Sequence, residues 1–150
     1  MSKKNIIPVM NESPTIATLD NQLCFALYSA SNRLNAIYRD LLKPYHITYT
    51  QFLVLMALWE KDDLSISALA ERVGLSKATM TPLLRLLEKK QLIQRQIKPD
   101  NERQKNIVLT KSGQQLSQKS AAITQEAFCA SGISQKQARE IISLCQQIAK

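Results

Sequence analysis

Apolar residues recur at helical spacing through most of the chain. Leu23, Leu27, Ala30, Leu34, Ile37 and Leu41 predict a long first helix, capped by Thr18, with Asp20 in its first turn and a stop before Pro44. Thr48 and Gln51 have capping-box spacing. The run that follows, FLVLMALWE, is apolar nearly all round and predicts a centrally buried helix closed by Lys61, Asp62 and Asp63. Leu64 to Ile66 is a candidate short strand. Ser67 to Lys90 then reads SALAERVGLSKATMTPLLRLLEKK: a short helix capped by Ser67, a turn at Gly74, and a longer helix capped by Ser76. On the longer helix Met80, Leu83, Leu84 and Leu87 share one apolar face, and Lys77, Thr81, Arg85 and Glu88 fall opposite. Pro82 interrupts that helix, removing one hydrogen bond and favouring a kink.

Two β-prone runs come next, Leu92 to Ile97 and Asn106 to Thr110, separated by the charged, turn-forming KPDNERQK; they predict a β-hairpin. Ser112 with Gln115, and Ser134 with Gln137, have capping-box spacing and predict two more helices, one to about Ala130 and a last one rich in Ile141, Ile142, Leu144 and Ile148.

Taken alone, residues 67–90 fit equally an αα-hairpin with a solvated polar face and a helix-turn-helix whose basic, hydroxyl-bearing face lies in the major groove. The hairpin immediately after it favours a winged helix-turn-helix, with Arg103, Lys98 and Lys105 as the cations of the wing. The predicted fold class is mainly α with a small β-hairpin wing. Residues 1–17, with two prolines and no periodicity, are expected to be a flexible arm, and 18–150 a single winged-helix domain. Within it, the DNA-binding part spans about 64–110. Helices over about 18–43 and 112–150 form a dimerisation layer, since a long apolar stripe on a terminal helix calls for a second copy of the chain. A dimer supplies two recognition helices for two half-sites of a pseudo-palindromic operator.

The 150 residues carry a formal net charge of +8, which points to a polyanionic partner such as double-stranded DNA. No apolar run is long enough to span a membrane, and the N-terminal residues lack the apolar segment of a signal peptide, so a cytoplasmic location is expected. The three cysteines, Cys24, Cys129 and Cys145, form no CxxC and the single histidine, His46, is remote, so no zinc site and no cofactor are expected.

The order of elements over residues 19–148 resembles the MarR family of bacterial transcription regulators. Within it, LDNQLCFALY (19–28), ITYTQFLVLMALWE (47–60) and TPLL (81–84) resemble the OhrR branch, repressors that sense organic hydroperoxides. The resemblance implies a redox-sensing cysteine at Cys24, thiolate-stabilising tyrosines at Tyr38 and Tyr49, and, as in the two-cysteine type, a resolving cysteine at Cys129. It further implies oxidation of the sensor to a sulfenic acid, an intersubunit disulfide, and release of the operator. Ser76, Lys77, Thr79, Thr81, Arg85 and Arg103 are the corresponding DNA-binding candidates. Two departures bear on this. Ser76-Lys77-Ala78 stands where the family commonly has Asp-Ser-Gly, and Asn101-Glu102-Arg103 where its wing carries Asp-x-Arg. Operator sequence therefore does not carry over.

The residues themselves constrain such a sensor. Cys24 and Tyr38 are fourteen positions apart on one predicted helix, about 21 Å, so they meet only between subunits whose first helices run antiparallel. Placed six residues after Thr18, Cys24 would gain little from the helix dipole, and tertiary donors such as the two phenols would have to stabilise its thiolate. Cys24 taken without the resemblance reads as a small buried hydrophobe, and Cys145 as structural. Three other functions are open: a regulator released by an apolar or anionic aromatic ligand with incidental cysteines, a thiol peroxidase using Cys24, and an architectural DNA binder. The winged helix argues against the enzyme.

Overall fold

The computed structural model describes residues 18–150; the arm expected over residues 1–17 lies outside the described residues. Helix α1 runs Leu23–Leu42, and Thr18 does not cap it. Leu19–Asn21 form a separate 3-10 turn, Thr18 Oγ1 accepts from the Asn21 side chain at 3.0 Å, and Gln22, extended, takes the cap position. Pro44 ends the helix as expected, inside a second 3-10 turn, Lys43–Tyr45.

The capping box of α2 (Tyr49–Glu60) forms in full: Thr48 Oγ1 accepts from the Gln51 N–H, and Gln51 Oε1 accepts from the Thr48 N–H. The helix is buried as its composition requires, with Phe52, Val54, Leu55 and Leu58 almost without solvent contact. Leu64–Ser65 make the short strand β1. The cap of α3 (Ile66–Val73) is Ser65, not Ser67: the strand ends at Ser65, whose Oγ accepts from the Ala68 N–H at 3.1 Å. Gly74 closes α3 in the left-handed region at φ 70°, where a side chain is strained. Ser76 caps α4 (Lys77–Lys89), and the apolar face Met80, Leu83, Leu84 and Leu87 is buried.

Strands β2 (Ile93–Lys98) and β3 (Asn101–Leu109) form the hairpin, and β3 lies between β1 and β2 in one antiparallel sheet. The strands extend well into the segment expected to be loop, leaving only Pro99 and Asp100 between them. Pairing is irregular there: Ile97 faces Lys105 but Lys98 faces Asn101, so residues 102–104 are bulged out of register.

Helix α5 (Lys111–Ser131) starts from Thr110 rather than Ser112. The Thr110 hydroxyl accepts from the Gly113 N–H at 3.1 Å and donates to the Gln91 carbonyl at 2.6 Å, so one side chain caps the helix and ties it to the end of α4. The expected box at Ser134 and Gln137 opens α6 (Gln135–Ile148). The core gathers around α2, between α3, α4, the sheet and the C-terminal end of α1, and α5 packs along α1 and α2. Helix α6 buries no residue within the chain.

Candidate functional site

The recognition surface is built on α4. Ser76 Oγ accepts from the Thr79 N–H at 3.1 Å and pairs with the Thr79 hydroxyl at 2.9 Å, so both are engaged in holding the helix start. The Thr81 hydroxyl donates to the Lys77 carbonyl at 3.1 Å. This bond returns to the turn ahead of Pro82, the residue that cannot donate a backbone hydrogen bond. Lys77 and Arg85 are exposed on the face opposite the buried leucines. Arg103 is exposed in the middle of the bulge of β3, its backbone N–H donating to Asn101 Oδ1 at 3.2 Å. Asn101 thus orders the backbone at Arg103. Lys105 is exposed beside it.

Lys98 is not a free wing cation. Its ammonium is bound to the Asp63 carboxylate, at the junction between α2 and β1. Asp63 has φ 61°, its Oδ1 and carbonyl accept from Asn106 Nδ2 at 3.0 Å each, and the hydrogen bond from Lys98 and then that from Asn106 hold its carboxyl below the usual range. Asp62 Oδ1 accepts from the Leu109 N–H at 3.0 Å. The two aspartates fasten the base of the wing to the end of α2. Their place in the sequence predicts only charges that close α2. A positive φ and a contact 43 residues distant leave no periodic signal.

The second group of residues lies on α1 and at the start of α2. Tyr38 and Tyr49 pack together with ring centroids 4.4 Å apart and ring planes tilted by 31°, and the Phe52 ring lies 6.0 Å from that of Tyr38. Burial, and secondarily the neighbouring Tyr38 phenol, raise the pKa of Tyr49 above its ordinary value. Cys24 is exposed, far along the same unbroken helix from Tyr38, so the chain does not bring the two together. Because α1 begins at Leu23, Cys24 is the second residue of the helix, not the sixth after the cap. It lies in the first turn, where free backbone N–H groups and the dipole favour negative charge. Cys129 is exposed near the end of α5, 3.5 Å from Gln125 Nε2, two residues before that helix ends and three before Gly132. Cys145 is half-buried; all three thiols are free. A cavity of about 470 Å³ opens beside Tyr49, lined by Asn32, Asn35, Ala36, Arg39, Ile47 and Thr48.

A helix-turn-helix whose second helix exposes a basic face, with a β-hairpin fastened beside it, defines a winged-helix DNA-binding protein. The MarR family profile matches residues 47–105. The chain is 39% identical over 125 residues to the HTH-type transcriptional regulator SarZ of Staphylococcus aureus, covering 83% of this chain and 84% of that protein. It superposes on AbfR of Staphylococcus epidermidis with a TM-score of 0.70 at 30% identity, over 87% of this chain and 90% of the other. The overoxidised form of AbfR bound to DNA superposes with a TM-score of 0.71 at 32% identity, over 87% and 93% of the two chains. The chain belongs to the MarR family. It is accordingly a DNA-binding transcriptional regulator rather than an enzyme, and no helix of its described residues is long and apolar enough to cross a membrane.

Proposed function

We propose that the protein is a homodimeric repressor that binds a pseudo-palindromic operator and is released from it when an organic hydroperoxide oxidises Cys24. The observation that carries the reading is the contacting pair Tyr38 and Tyr49, two phenols held beside each other about 21 Å along α1 from the cysteine they would serve. An antiparallel pairing of two α1 helices brings the tyrosines of one subunit to Cys24 of the other. The exposed apolar side chains Leu19, Leu23 and Leu27 on one end of the chain and Ile141, Ile142 and Ile148 on the other support such a dimer. The solved forms of the relative AbfR, overoxidised and disulfide-bonded, favour a redox reading of the cysteines.

In this reading the Cys24 thiolate attacks the hydroxyl-bearing oxygen of the peroxide, the O–O bond breaks, the sulfur becomes a sulfenic acid, and the leaving alkoxide takes a proton from solvent and departs as an alcohol. The Cys129 thiol of the other subunit then attacks that sulfur, water leaves, and a disulfide joins the subunits; an external thiol reduces it. Ser76, Lys77, Thr79, Thr81 and Arg85 meet the major groove, and Arg103 the minor groove. Acting on chromosomal DNA places the protein in the cytoplasm.

The test is a non-reducing gel before and after one equivalent of cumene hydroperoxide, followed by intact mass. A reducible band of dimer mass, absent in Cys24→Ser and in Cys129→Ser, is expected. An unmodified chain would overturn the reading. The cavity beside Tyr49, with Arg39 at its wall, favours a second reading: release by an anionic aromatic ligand. Thermal stabilisation by an aromatic carboxylate, without any response to peroxide, would establish it instead.

A further inference from the structure

Gln51 and Asn106 are the polar side chains that are buried among the described residues. Asn106 belongs to the Asp63 junction. Gln51 makes a different connection. Its Oε1 accepts from the Thr48 N–H at 3.1 Å, completing the cap of α2, and also from Lys90 Nζ at 2.9 Å. The same ammonium donates to the His46 carbonyl. Lys90 is the residue that ends α4, and the chain turns away immediately after it through Gln91, at φ 56°. One charged group at the tail of the recognition helix therefore grips both sides of the cap on which α2 begins. The first residue of α2 is Tyr49, whose ring packs against that of Tyr38.

The side chains that α4 buries in the core shared with α2, Met80, Leu83, Leu84 and Leu87, are apolar. Leucine against leucine tolerates sliding, because burial is not directional. A buried amide oxygen shared by two donors does not: displacing Lys90 leaves the acceptor with one partner and the ammonium with none of its protein partners. We propose that Lys90 is the positioning residue that ties the orientation of the recognition helix to the tyrosine pair, through Gln51 and the cap of α2. What drives the tyrosines rests on the sensor reading above. The link itself does not, because coupling between two sites is reciprocal: DNA bound at α4 must then alter the surroundings of Tyr49.

The experiment uses the full chain labelled at the phenolic carbon of tyrosine and a duplex selected by the wild-type protein from a random-sequence pool. Tyr49 is assigned by Tyr49→Phe. Duplex binding is expected to shift the wild-type Tyr49 resonance. In Lys90→Met, with the stem kept and the donors removed, the shift is expected to fall by about half or more while affinity for the duplex changes less than about fivefold. Lys90→Arg should restore the shift. A full shift in Lys90→Met, or no shift in the wild type, would overturn the link. So would a loss of affinity greater than about tenfold in Lys90→Met, which would make Lys90 a phosphate contact. A parallel sample treated with cumene hydroperoxide separates the two claims. If wild-type protein keeps its DNA after oxidation, the sensor reading falls and the Tyr49 shift still decides the link. If wild type releases DNA, Lys90→Met should narrow the ratio of reduced to oxidised affinity by about tenfold.

Discussion

Tyr38, near the end of α1, and Tyr49, the first residue of α2, pack with their ring centroids 4.4 Å apart across the Pro44 turn. They are eleven positions apart in sequence, and the turn folds the chain back so that the two phenols belong to one patch. If that patch serves Cys24 of the other subunit, the cysteine and the tyrosines need not be in the same chain. Mixed dimers test this. A chain with Cys24 intact but Tyr38→Phe and Tyr49→Phe is paired with a Cys24→Ser chain that keeps both tyrosines. Oxidation of Cys24 by cumene hydroperoxide should then proceed at the wild-type rate. The homodimer of the double Phe chain should react about tenfold or more slowly, the worth of a hydrogen bond to a charged sulfur.

Tyr49 should ionise late. Its raised pKa comes first from burial and second from the Tyr38 phenol beside it. A group whose folded pKa exceeds its unfolded value contributes stability that is complete below about pH 10, the unfolded tyrosine value, and is lost as pH rises through the folded one. Alkaline titration by phenolate absorbance should show a late component from Tyr49. Tyr49→Phe should remove that late component.

The Asp63 junction predicts an acid-sensitive wing. Hydrogen bonds from Lys98 and Asn106 lower the Asp63 pKa, so its contribution is present above about pH 3.9, the unfolded value, and lost as pH falls through the lower folded value. Asp63→Asn should flatten that part of the acid limb in urea midpoints measured from neutral to acidic pH. It should also weaken DNA binding at neutral pH, because Lys98 and the bulge carrying Arg103 lose their anchor. Unchanged binding in Asp63→Asn would show that the wing holds its place without the carboxylate.

Gly113 cannot carry a side chain. A Cβ there would stand 2.0 Å from the Leu92 carbonyl oxygen and 3.2 Å from Leu109 Cδ2, and that carbonyl is held by the Thr110 N–H at 3.1 Å. Gly113→Ala should cost about 3 kcal/mol or more, read as a fall in the urea midpoint. Trp59, the one tryptophan, donates from Nε1 to the Gly113 carbonyl at 2.9 Å, so its fluorescence reports the same opening.

Periodicity alone determined much of this protein. The apolar face of α4, the all-round burial of α2, the caps at Thr48, Ser76 and Ser134 and the left-handed Gly74 depend on contacts within a turn or two, where spacing and side-chain chemistry decide the outcome. Helix starts failed where a nearby strand or turn claimed the capping oxygen. Ser65 displaced Ser67 because β1 ends there, Thr110 displaced Ser112 because its hydroxyl also reaches Gln91, and Thr18 spent its oxygen on Asn21. Tertiary structure alone decided the rest. Lys98 turned to Asp63, the residues around Arg103 were bulged, Lys90 reached Gln51, and the two tyrosines met. Each of these joins residues on different elements, and a charge or a phenol carries no period that marks its partner. The physical reason is one of range: helix formation is read from neighbours along the chain, whereas a hydrogen bond between elements exists only once the core has set the distance between them.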